Sequence, residues 1–87
     1  MPKFRKKPVV IEAVRWDGKL TTVEPLMCGA TTDAVEQELG DPALLIPTLE
    51  GVMRAEVGDW IIRGVKGELY PCKDEIFRAT YDEVSDA

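Results

Sequence analysis

Histidine is missing from all 87 residues, and that single absence removes both the commonest general base and the commonest zinc ligand. What remains for chemistry is carboxylates, lysines and two cysteines, Cys28 and Cys72, far apart along the chain. The only serine is Ser85, close to the C-terminal end, so a Ser or Cys nucleophile activated by His is excluded by composition. A zinc site on two thiolates would need two further carboxylate ligands, an unusual mixture. Cys28 follows Met27 near the end of an expected helix, where the dipole does not favour a thiolate. Carboxylate pairs such as Asp59 with Glu68, or Asp74 with Glu75, have the residue type for acid and base work. Acids beside turns are nevertheless far commoner than catalytic dyads. The expectation is a protein that is not an enzyme and holds neither metal nor cofactor.

Binding is the remaining chemistry. Arg63 ends an expected strand, Lys66 occupies the turn after it and Tyr70 lies on the returning strand. Such a hairpin would bring two cations and one ring together as a ligand-binding site for a planar anion, through charge pairing and stacking. The competing reading leaves Arg63 and Lys66 solvated and packs Tyr70 on the sheet. Trp16, with Arg54 or Lys73 nearby, is a weaker candidate of the same kind, and for Trp16, Trp60, Phe77 and Tyr81 core packing competes with any binding role. Gly64-Val65-Lys66-Gly67 has too few glycines to cradle a phosphate and reads as a turn. Gly58-Asp59 is likewise explained by structure. The glycine supplies a positive φ, and the carboxylate accepts backbone N–H groups that would otherwise be orphaned.

The elements that must position these residues are short. From Ile46 to Tyr81, apolar runs alternate with glycine turns, the pattern of an antiparallel meander. The spacing predicts strands over Ala43 to Leu49, Val52 to Val57, Trp60 to Arg63 and Glu68 to Cys72, with a hairpin tip at Thr48-Leu49-Glu50-Gly51. Another strand is expected over Val9 to Trp16, opened by Pro8 and closed by Asp17-Gly18. A helix is expected over Val23 to Cys28, capped by Thr22, with Pro25 in its first turn, Leu26 and Met27 buried, and Gly29 at its end. Asp74 should cap a second helical turn through Thr80 that sets Ile76 and Phe77 on the sheet. Asp33 to Leu39 is compatible with a helix or with a polar edge strand, and the need of the next segment for a partner favours the strand. The fold class is therefore α+β: a small β-rich domain spanning 1–87, an antiparallel meander or partial barrel of five to six strands with one or two short helices, and a frayed tail over 82–87. The expected core is Val10, Val14, Leu45, Leu49, Val52, Ile62, Leu69 and Phe77.

A net charge of −5 argues against a general nucleic-acid binder, which needs a basic surface to neutralise phosphates. The charge is unevenly spread. Residues 1–19 carry six basic side chains against two acids, whereas residues 20–50 carry six acids and no base. The basic start either pairs with the acidic middle, or keeps an edge strand soluble, or forms a local anion site. No apolar run approaches a membrane span of about 20 residues, and the basic start followed by Val9 to Ile11 only faintly imitates a signal peptide, since Glu12 and Arg15 interrupt it. A cytoplasmic protein with reduced thiols is expected. A short meander with open edges also predicts a homo-oligomer, most simply a dimer.

Five stretches taken together carry a resemblance: Pro2 to Trp16, Ile46 to Gly51, Gly58 to Glu68, Tyr70 to Lys73, and Ile76-Phe77 with Thr80-Tyr81. This ordered string resembles a family of small proteins of tailed bacteriophages and prophages, some grouped under a Pro-Gly-Asp-Tyr-Gly signature. The chain departs from that signature at Val57, in place of Pro, and at Trp60-Ile61, in place of Tyr-Gly. The resemblance implies a phage-encoded accessory protein of the host cytoplasm that acts by stoichiometric binding, and supplies no site. The expected function is capture of a small anionic ligand such as a signalling nucleotide. The alternatives are a protein–protein adaptor or inhibitor of a host factor, and a minor virion or assembly component.

Overall fold

The structure, a computed structural model, describes residues 2–3, 10–32 and 35–82. Five antiparallel strands in two sheets and two short helices make up a small α+β fold. One sheet has β1 (Glu12–Arg15), β4 (Trp60–Arg63) and β5 (Leu69–Cys72) in the order β1-β4-β5. The other is the hairpin of β2 (Leu44–Thr48) and β3 (Gly51–Ala55). Helix α1 (Leu20–Met27) packs against β1 and β4, and α2 (Asp74–Thr80) follows β5.

Consecutive pairing was expected from β2 to β5, but β3 and β4 do not pair. The reason lies in the turn between them. Gly58 takes φ +99°, and the Asp59 carboxylate accepts the Glu56 N–H at 2.9 Å, which closes the turn tightly. Gly58 N–H then donates to Trp16 O at 2.9 Å and Trp16 N–H to Asp59 O at 2.8 Å. The turn is thereby laced to the end of β1, and Trp60 is delivered opposite Arg15 instead of beside β3.

The first helix starts earlier than expected. Leu20 opens it and Thr22 lies inside it; the acceptor near its start is Asp17, whose carboxylate takes the Lys19 N–H at 3.0 Å and the Thr22 hydroxyl at 2.8 Å. Pro25 sits in the helix interior instead of the first turn. Gly29 closes it in the left-handed region, φ +82°, as expected. Of the segment expected to be a strand before Pro42, the described part contributes one bridge, Glu36 to Leu45. The expectations at Pro8 and Val9, at Asp33 and for the tail beyond Asp82 lie outside the described residues.

The core is Trp16, Val23, Leu26, Leu44, Ile46, Ala55, Ile61 and Leu69, all essentially inaccessible. Ile62 and Leu69 are buried as expected, and Met27 packs on the cluster's margin. Val14, Leu45 and Phe77 are only half-buried. Val10, Leu49 and Val52 are exposed, which corrects the expected core. The hairpin explains the β2 part of this error. Closure at Leu49-Glu50 fixes the register Thr48↔Gly51 and Ile46↔Met53, so Leu44 and Ile46 face inward and Leu45 takes the other face. Ile76 is also exposed, and the α2 ring that packs on the sheet is Phe77, stacked on Trp60 with ring centroids 4.2 Å apart and planes 9° from parallel.

Candidate functional site

Between the β2–β3 hairpin and the β4–β5 hairpin lies a cavity of about 750 Å³. Pro47, Leu49 and Met53 form its wall on one side, and Leu69 and Tyr70 on the other. Thr31 and Thr32, on the chain leaving α1, line it too and hold the second hairpin in place. The Thr31 hydroxyl donates to Lys66 O at 3.0 Å, Thr31 N–H donates to Gly67 O at 2.8 Å, and the Thr32 hydroxyl accepts Leu69 N–H. Gly67 is required by this close approach, because a Cβ there would lie 2.7 Å from Gly29 O.

Lys66 and Tyr70, two of the residues singled out in the sequence, both line this groove. Arg63 does not join them. Its guanidinium pairs with Glu12 at 2.8 Å and donates to Leu26 O and Cys28 O, capping the exposed carbonyls at the end of α1. Arg63 lines a different and smaller cleft, about 330 Å³, with Glu12, Cys28 and Gly29. The hairpin separates the two cations because the strand delivers Arg63 toward the helix end while the turn carries Lys66 to the opposite side.

Among the described residues Lys66 is the only basic one lining the groove, and it makes no ion pair there. Glu68 is committed locally, its carboxylate accepting the Lys66 backbone N–H at 3.0 Å. Glu50 stands at the exposed tip of the other hairpin. Burial, and then a hydrogen bond with Tyr81, push the Tyr70 phenol above its ordinary value, so it stays neutral at the groove's edge.

Elsewhere Asp59 and Asp74 are already engaged. Cys28 and Cys72 are free thiols. Burial, with the nearby Asp59 charge adding to it, pushes the Cys72 thiol up and away from the reactive thiolate. Asp59 accepts Lys73 Nζ at 3.0 Å and the Glu56 N–H; Asp74 accepts Trp60 Nε1 at 2.8 Å and Arg78 Nε at 3.0 Å. Among the described residues no group of three or more Cys, Asp or Glu side chains is placed to hold a metal ion, and no helix is long and apolar enough to cross a membrane. Among the described residues the groove therefore offers apolar walls, one ammonium group, two carboxylates and hydroxyls, a set suited to holding a molecule. Of the wall residues Pro47, Leu49 and Met53, only the apolar tip at Leu49 carries a signal in the sequence, and that signal reads as core.

No family model matches the chain, and no curated protein or solved structure matches it either.

Proposed function

We propose that the protein is a non-enzymatic binding module that captures a small planar ligand with one negative charge in the groove between its two hairpins. One observation carries this reading: Lys66, which makes no ion pair among the described residues, lines the same cavity as Tyr70 and the apolar Leu69, Leu49 and Met53. A volume near 750 Å³ lies within the range of small-molecule sites, roughly 300–1,000 Å³. Among the described residues one cation lines the groove beside Glu50 and Glu68, a balance that suits a single anionic group over a polyphosphate. A nucleotide with one phosphodiester charge has the matching chemistry, the base stacking on Tyr70 and the phosphate meeting Lys66. Stoichiometric capture accords with the resemblance to small phage proteins of the host cytoplasm.

A second reading, an adaptor that occludes a host protein, is favoured by Leu49 and Val65, whose apolar side chains stand exposed on the two hairpin turns that flank Lys66. A thermal-shift panel of nucleotides and small anions separates the two. Capture predicts that a ligand at about 100 times its Kd stabilises the protein by about 2.7 kcal/mol, and that Lys66→Ala, with an unchanged melting temperature when unligated, loses most of that gain. No stabilisation by any member, or equal stabilisation of Lys66→Ala, would refute small-ligand capture at this site.

A further inference from the structure

We infer that β3 is the pairing edge of a two-fold dimer of this chain, joined antiparallel to β3 of a second copy with Met53 on the axis. The inference goes beyond ligand capture and rests on the backbone groups of β3, whose Met53 side chain also lines the groove.

Glu36 fixes which backbone groups of the β2–β3 hairpin point where. Leu45 gives its N–H to Glu36 O at 2.7 Å and accepts the Glu36 N–H at 3.0 Å, so both its polar groups turn away from β3. The pair Leu45↔Arg54 is therefore of the non-hydrogen-bonded kind, and strict alternation makes Pro47↔Val52 another. Proline, lacking an N–H, fits that position. It follows that Val52 and Arg54 direct their own N–H and C=O groups outward, away from β2. No backbone partner takes them among the described residues. Gly51 to Arg54 are all exposed, Val52 at 68% and Met53 at 41%. An open edge with apolar side chains is a template for another strand.

A second copy fits this edge in one register. With the two-fold axis through Met53, Val52 stands opposite Arg54 of the partner subunit, and Arg54 opposite Val52 of the partner subunit. Both are pairs in which the outward N–H and C=O groups meet, so four backbone hydrogen bonds form. An axis through Val52 keeps only the Val52 pair, because Glu50 lies in the turn. An axis through Arg54 opposes two guanidinium groups, and like charges directly across a ladder destabilise it. In the favoured register Arg54 keeps its own acids, Asp41 at 3.0 Å and Glu56 at 2.5 Å, and offers its aliphatic stem to Val52 of the partner subunit. Met53 shares a face with Ile46, so its contact with Met53 of the partner subunit prolongs the core row across the seam. The opposite edge of the hairpin cannot serve, being bridged by Glu36 at Leu45 and lacking a donor at Pro47.

Site-specific oxidation tests the register. In a Cys28→Ser, Cys72→Ser background, Met53→Cys places two thiols at a non-hydrogen-bonded pair, where Cα atoms lie about 4.5 Å apart, within the roughly 4.4–6.8 Å span of a disulfide. Mild oxidation should convert most of this variant to a covalent dimer, while Leu39→Cys, more exposed but off the edge, stays monomeric. Independently, light scattering should give the mass of two chains for the parent. Val52→Pro, which removes an N–H that β2 does not use, should give one chain with an unchanged circular dichroism spectrum. A monomeric parent at high micromolar concentration, or crosslinking of Leu39→Cys as fast as Met53→Cys, would overturn the inference.

Discussion

Asp59 is the buried acid at the corner where the chain leaves β3 for β4, and its carboxylate serves two donors, the Glu56 N–H and the Lys73 ammonium. Asp59→Ala strips the turn of its acceptor and should lower unfolding stability by about 1–3 kcal/mol, read by urea denaturation. Three other acids give the fold its pH dependence. The Thr22 hydroxyl, then the Lys19 N–H, hold Asp17 below the usual carboxylate value; for Asp41 the Ala43 N–H leads and Arg54 follows; for Asp74 it is Trp60, then Arg78. A lowered native pKa stabilises the fold fully above the ordinary value of 3.8, and the contribution is lost as pH falls through the lowered values. Urea midpoints should therefore fall from about pH 4 downward, and less so in Asp41→Asn. The Gly58-Asp59 turn was legible in the sequence because glycine and a short acid have few other uses there. The fate of Arg63 was not legible: the carbonyls it caps come from α1, and no local pattern announces that neighbour.

At the scale of elements, α2 is held by a row of rings. Trp60 stacks on Phe77, and Phe77 meets Tyr81 with centroids 5.1 Å apart. Phe77→Ala should cost about 2 kcal/mol, since the ring is half-buried and loses its stack. Amide exchange should accelerate in α2 while β4 stays protected, because β4 is paired on both sides. Pro25 is a different case. It interrupts an eight-residue helix and leaves Thr21 O without its helical donor. Pro25→Ala restores that bond and should raise stability by roughly 1–2 kcal/mol after the larger entropy of the unfolded chain is allowed for. Strand existence was readable from glycine turns and apolar runs, but facing was not. Ala43 to Ile46 is apolar at every position, so the choice between Leu44 with Ile46 and Leu45 with Leu49 is made only by the hairpin closure.

At the scale of the whole molecule, the separation into two sheets creates the groove. Had β3 paired with β4, the meander would have run continuously and the space between the hairpins would have been filled by strand. Lacing of Gly58 and Asp59 to Trp16 prevents that pairing, and the Thr31 contacts with Lys66 and Gly67 hold the far side of the opening. The meander pattern shows that strands follow one another, but not which of them are neighbours, so the groove could not be foreseen. Its location is the central claim. Titrating the strongest stabiliser from the ligand panel into ¹⁵N-labelled protein and mapping the amide shifts tests it most directly. Shifts concentrated at Thr31, Thr32, Met53, Lys66 and Tyr70 are the predicted result. Shifts gathered instead around Glu12, Cys28 and Arg63 would place the site in the smaller cleft and contradict the account.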